Sequence, residues 1–147
     1  MRAVAQRVSQ AAVSVEGEVV GEIGRGLLVY LGVGRGDVAA DLEHVLKKVL
    51  GLRVFPNDAG KLDHSVVDVG ASLLVVSQFT LYADTVKGRR PSFIHAAAPE
   101  QAEPLVEAVA DALRALGATV VTGKFRAFME VELVNDGPFT LLLETGA

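Results

Sequence analysis

The chain has 147 residues, half of them hydrophobic and 22% charged, which suits one folded domain and excludes a disordered segment. No apolar run reaches the roughly 18–20 residues of a membrane-crossing helix, and the opening MRAVAQRVSQ lacks the unbroken apolar core of a signal peptide. The absence of cysteine excludes disulfides and thiol chemistry and agrees with a cytoplasmic location, while a net charge of −4 argues against a general nucleic-acid binder but not against a local basic patch.

Residues 2–9 alternate in period two, with Ala3, Ala5, Arg7 and Ser9 facing away from Arg2, Val4, Gln6 and Val8, the pattern of a half-buried strand. Segments 11–16 and 18–23 flank Gly17 and predict a hairpin. The continuous apolar run GLLVYLGV, 26–33, predicts a central strand. Val38, Leu42, Val45, Leu46 and Val49 then share one helical face, with Asp37 as the expected N-cap and Asp41 in the first turn.

That helix must stop before Pro56, where PNDAG is turn chemistry. Residues 72–79, SLLVVSQF, predict a second buried strand. A second helix is expected over 99–116, with Leu105, Val106, Val109, Leu113 and Leu116 as its stripe and Gly117 as its stop. Pro104 costs that helix an internal hydrogen bond, so either the helix tolerates it or a separate turn precedes a start at Pro104. A strand at 118–122 follows, and MEVELV and FTLLLET predict a strand pair around an NDGP turn. The fold class expected is α/β: a mainly antiparallel, barrel-like sheet with two packed helices, one domain over 1–147.

The glycines of GVGRGD lack the lysine of a phosphate cradle and read as a strand-to-helix turn. His44, His64 and His95 include no i, i+4 pair, so no zinc site is expected. No G-x-S-x-G elbow supports a serine triad, although His64, near Asp63 and Asp68, or His95 could serve one. Lys87, Arg89 and Arg90 share a stretch without acids, and Lys124 and Arg126 make a smaller cluster. Each is either a solvated face or a place for a polyanion. Ser77, Gln78, Phe79 and Thr80 end an apolar strand. They either cap a turn or present hydroxyl, amide and N–H groups to a carbonyl and its oxyanion.

SQFTLYAD and NDGPFT together resemble the two signature motifs of the D-aminoacyl-tRNA deacylase (D-tyrosyl-tRNA deacylase) family. MRAVAQRVSQAAVSV is similar to that family's opening strands, GLLVYLGV to its central strand, and KGRRPSF to the loop after its first motif, so the likeness runs over the whole chain. The resemblance implies hydrolysis of the ester between a D-amino acid, or glycine, and tRNA. It implies no metal or organic cofactor, and a homodimer with active sites at the interface. Ser77, Gln78, Phe79 and Thr80 would form one pocket wall, with Met129 nearby. Gly137 and Pro138 match the family's Gly-cisPro motif, which reaches in from the partner subunit, and Arg7 matches an arginine that supports it. Lys87, Arg89 and Arg90 would contact the tRNA acceptor end.

One segment departs from the pattern. Family members carry small residues before the methionine, whereas this chain reads Phe125-Arg126-Ala127-Phe128-Met129, and the resemblance gives Arg126 and Phe128 no role. On this reading, main-chain oxygens of Gly137-Pro138 lie against the substrate Cα and admit only hydrogen, so L-amino acids are excluded by shape. Thr80 acts either by positioning or as a covalent nucleophile. Two rival functions stand beside this one: a non-catalytic RNA-binding dimer of the same fold, and a small-molecule hydrolase using Ser77 or Thr80 with a histidine.

Overall fold

In the computed structural model, which describes residues 1–146, the strand β1 (Arg2–Val15) organises the sheet. One edge of β1 pairs first with β3 (Gly26–Gly32) and then with β2 (Glu18–Ile23); its other edge pairs with β8 (Glu130–Glu144), all antiparallel. Beyond β3 the sheet continues in parallel through β6 (Ser72–Ser77) to β7 (Thr119–Thr122). Parallel neighbours need a crossover. The crossovers carry α1 (Ala39–Gly51) and α2 (Pro99–Ala115), which pack together against the sheet. A two-stranded flap, β4 (Phe55–Pro56) with β5 (Leu62–His64), lies outside it.

Both faces of the central strands are buried, which explains their unbroken apolar runs. Leu27, Val29, Leu31, Leu73 and Val75 point to the helices and share a core with Val45, Val49, Val109 and Leu113. Leu28, Leu74 and Val76 point the other way, into the curl of the sheet, where they meet Val8, Ala11 and Val13. The curl brings β2 against β7 so closely that a Cβ on Gly21 would lie 2.6 Å from Val121 Cγ1. The result is the expected single-domain, nearly closed barrel with two helices.

Several local expectations change. Segments 2–9 and 11–16 are one 14-residue strand. Its buried residues switch from Ala3 and Ala5 to Val8, Ala11 and Val13 as it passes from one core to the other. The hairpin turn at Glu16 and Gly17 is as expected, with φ of 51° and 82°. Asp37 is not the cap of α1. It accepts hydrogen bonds from the Met1 ammonium at 2.8 Å and the Gly34 N–H at 2.6 Å. Val38 holds the N-cap position, and the Asp41 carboxylate accepts its N–H at 2.9 Å. That bond is the first cause of a depressed Asp41 pKa.

Helix α2 runs through Pro104 without a break. Pro104 is exposed, and so is Glu100, the residue whose carbonyl it leaves without an i+4 donor. Gly117, at φ 97°, closes the helix as expected.

The largest change is at NDGP, which is not a hairpin turn. Both halves of β8 pair with β1: Gln6 is opposite Thr140 and Val8 is opposite Asn135. Residues 136–139 are therefore a bulge in one long strand, facing Arg7.

Candidate active site

Strand β6 ends at Ser77, two residues earlier than the sequence pattern suggests. The Gln78 N–H still donates to Leu31 O at 2.9 Å, the last tie to β3. The chain then turns sharply into a 3-10 turn, Phe79–Tyr82. Gly32 makes room for that bend, since a Cβ there would lie 2.9 Å from Gln78 O and 3.1 Å from Leu81 Cβ. Hydrogen bonds within the turn begin with Leu81 N–H to Gln78 O at 3.2 Å, so the N–H groups of Phe79 and Thr80 take no part in them. The Gln78 side chain donates to Thr80 Oγ1 and ties the two polar side chains together.

A cleft of ≈ 610 Å³ opens beside this turn. Ser77, Gln78 and Phe79 line it from one side, Met129 lies just before β8, and Ala98 and Pro99 come from the start of α2. Thr80 is exposed and does not line the cleft; it reaches the site through Gln78. Phe79 is 55% exposed and packs edge-on against Phe93, with ring centroids 5.0 Å apart. Sequence reasoning gave Phe93, Ala98 and Pro99 no part here; they become cleft residues only because the β6–α2 connection folds back over the strand ends.

The basic loop leaves from the same region. Asp84 and Ser92 exchange two main-chain hydrogen bonds, at 2.7 and 2.9 Å, which close the base of the loop. Lys87, Arg89 and Arg90 stand exposed at its end. His95 Nε2 is 3.9 Å from Asp84 Oδ2, at the loop's base. Behind the turn, Tyr82 packs on Gly34 and under the Arg2 guanidinium. Burial, with Asp37 adding to it, pushes the Tyr82 hydroxyl up to about 12, so it stays protonated at neutral pH.

Gly137 and Pro138 are not among the residues that line this cleft. They sit exposed on the bulge of β8, joined by a cis peptide bond. Asn135 closes the bulge from inside: its Nδ2 donates to Arg7 O and Phe139 O, and its Oδ1 accepts the Phe139 N–H, each at 3.0 Å. Arg7 grips the outside. Its Nε reaches Asp136 O at 3.0 Å, a second nitrogen reaches Val54 O at 2.7 Å, and the guanidinium lies 4.6 Å from the Phe139 ring centre. Asn135 was not singled out in the sequence, although an asparagine beside a Gly-Pro pair is a recognisable brace for main-chain groups.

The atypical segment forms a turn at the edge of the cleft. The Ala127 N–H donates to Lys124 O at 3.2 Å, and Arg126, at the third position, has φ 65°. A non-glycine residue there costs about 1–2 kcal/mol. Met129 is held against Gly123 and lines the cleft. Among the described residues, no group of three or more His, Asp or Glu side chains could hold a metal ion, and no helix is long and apolar enough to cross a membrane.

The family model described as D-Tyr-tRNA(Tyr) deacylase matches residues 4–144. A protein of Roseiflexus castenholzii named D-aminoacyl-tRNA deacylase is 57% identical over 145 residues, covering 99% of this chain and 92% of that protein. One of the same name from Chloroflexus aurantiacus is 58% identical, with 99% and 91% covered. The solved structure described as c-Myc DNA Unwinding Element Binding Protein superimposes with a TM-score of 0.95 at 43% identity, over 100% of both chains. A structure described as a probable eukaryotic D-amino acid tRNA deacylase, 20% identical and covering 97% of each chain, shares the fold with a TM-score of 0.83. With a match over nearly its full length and relatives more than half identical, the chain belongs to the D-Tyr-tRNA(Tyr) deacylase family.

Proposed function

We propose that this protein hydrolyses the ester between a D-amino acid, or glycine, and the 3′ end of tRNA, releasing both. The observation that carries this reading is the turn at 78–80. Its Phe79 and Thr80 N–H groups take no main-chain partner, and its linked Gln78–Thr80 pair stands beside an apolar cleft, in a chain of this family. An aminoacyl ester is already activated, so positioning and oxyanion stabilisation suffice. The N–H groups of Phe79 and Thr80 hold the oxyanion that forms when water attacks the carbonyl carbon. Gln78 and Thr80 orient the ester or the water, Ser77 completes the wall, and the ribose oxygen leaves with a proton. Losing one such donor typically costs about 10²–10³-fold in rate.

Selectivity comes from the bulge of a second subunit. The protein acts as a homodimer in which Gly137 and Pro138 of each chain complete the cleft of the other. Their main-chain oxygens sit against the substrate Cα and leave room there for hydrogen only. Arg7 supports the bulge from its own chain, through Asp136 and Phe139. Met129 lines the amino-acid pocket, and Lys87, Arg89 and Arg90 pair with acceptor-end phosphates. Glycine, with hydrogen on both sides, is accepted, and many D side chains are tolerated because few contacts are made to them.

The decisive experiment incubates the purified protein with matched D-, L- and glycyl-tRNA and follows ester release. Cleavage of D and glycyl esters with L esters spared is expected. Equal cleavage of L esters removes the chirality mechanism. Capture of tRNA without cleavage favours a non-catalytic nucleic-acid-binding dimer, a reading to which the DNA-binding name of the 43%-identical structure lends weight.

A further inference from the structure

The edge of the cleft carries two side chains that the proposed chemistry does not use. Arg126 is exposed and holds a backbone conformation, φ 65°, that glycine adopts more easily. Phe128, two residues on, is 87% exposed, more than any other large hydrophobic residue of the described chain. Both line the cleft together with Met129. Among the described residues Arg126 makes no ion pair and no cation–π contact, and Phe128 has no aromatic neighbour. Neither residue is therefore explained by packing or pairing within the fold. Two local rules are broken side by side at the mouth of a cleft, which is where such violations mark function.

The chemistry of the pair indicates the occupant. Lys124 and Arg126 stand in a stretch, 123–129, that contains no acid. Cations beside an exposed aromatic ring suit a single-stranded nucleic acid, whose bases stack while its phosphates pair. The proposed reaction, on which this inference rests, places the terminal nucleotide and its ester in the cleft, so the strand before it has to leave across an edge.

We propose that residues 124–128 form a strand clamp for the nucleotides preceding the terminal one. Phe128 stacks on a base, and Arg126, with Lys124 beside it, pairs with a phosphate. The turn conformation of Arg126 holds its side chain at the cleft edge. A second copy of the chain is the rival occupant of the same edge. The unpaired cations and the continuity with the cleft favour the phosphate-bearing strand.

The test compares Phe128→Ala and Arg126→Gly with the unaltered enzyme on two substrates: D-aminoacyl-tRNA, and a D-aminoacyl ester of adenosine alone. Each variant should raise KM for the tRNA substrate about 5–20-fold, as loss of one stacking or phosphate contact does. KM for the adenosine ester and kcat for both substrates should stay within about twofold. Arg126→Gly should also lower the salt slope of tRNA binding by about 0.7, the contribution of one phosphate on a single strand. The same variant should melt higher than the unaltered protein, so its loss of affinity cannot be a loss of fold. Equal losses on both substrates, no loss on either, or conversion of the Phe128→Ala dimer to monomers in sedimentation would overturn the clamp. An unaltered enzyme that cleaves neither substrate overturns the proposed function and the clamp with it. One that cleaves both, with variants behaving normally, overturns the clamp alone.

Discussion

Arg7 and Asp136 meet twice: Arg7 Nε lies 3.0 Å from the Asp136 carbonyl oxygen and 3.2 Å from its carboxylate Oδ2. The arginine side chain is only 12% exposed, and its other end is tied to Val54 O. A planar fork makes these contacts, and a lysine has no such fork. Arg7→Lys should therefore lose about 1.5–3 kcal/mol of stability, measurable by urea unfolding, and reduce D-ester cleavage as the bulge loosens. Unchanged stability and activity would remove Arg7 from the support of residues 136–139.

Gly137 leaves no room for a side chain. A Cβ there would lie 2.3 Å from Phe139 N and 2.8 Å from Phe139 Cβ. Gly137→Ala should displace the bulge at a cost of about 1–3 kcal/mol, with the fold retained because the site is exposed. The expected readout is a collapse of the D-to-L cleavage ratio. A variant with the same ratio as the unaltered enzyme would show that this main chain does not read Cα.

Thr80 lies outside the cleft, its Oγ1 bonded to Gln78, and in the proposed mechanism it acts through that side chain. Thr80→Val keeps the backbone N–H, so turnover should fall by less than the ~10²–10³-fold that loss of a direct oxyanion donor brings. Complete loss would instead support a covalent role. Replacing His44, His64 and His95 together should leave the rate unchanged, and a large fall would revive a histidine-assisted hydrolase.

Tyr82 carries a pH signature. Its hydroxyl is raised from 10.0 to about 12 in the fold, so folding favours the neutral phenol. A raised acid adds stability that is complete below the unfolded value and is lost as pH climbs towards the folded one. The melting temperature should therefore fall between pH 10 and about 12, and Tyr82→Phe should flatten that decline. Parallel curves for the two proteins would assign the alkaline loss elsewhere.

The sequence showed the two apolar central strands, both helices and the cysteine-free, single-domain character, because burial leaves its period in the residues. It did not show that NDGP is a bulge. Asn-Asp-Gly-Pro is equally good turn chemistry, and only pairing with β1 on both sides, a long-range fact, decides between the two. Asp37 was misread for a similar reason: its partner, the Met1 ammonium, is 36 residues away. The candidate residues 77–80 and 137–138 were legible as motifs. The cleft beside 77–79 was not, since Phe93, Ala98 and Pro99 reach it through tertiary folding alone.

The separation of the bulge from its own chain's cleft has a genetic consequence. Phe79→Pro removes one N–H donor at a position where proline fits the start of a turn. A chain with that defect should be nearly inactive alone, and a chain with Gly137→Ala should cleave esters without chiral preference. Co-expressed, they should restore D-selective cleavage, because in the proposed dimer a hybrid pairs one intact cleft with one intact bulge. Random mixing makes half the proposed dimers hybrid, each with one fully intact site of two, so about a quarter of all sites should regain selectivity. Such trans-complementation would be impossible for an enzyme whose every catalytic group came from one chain.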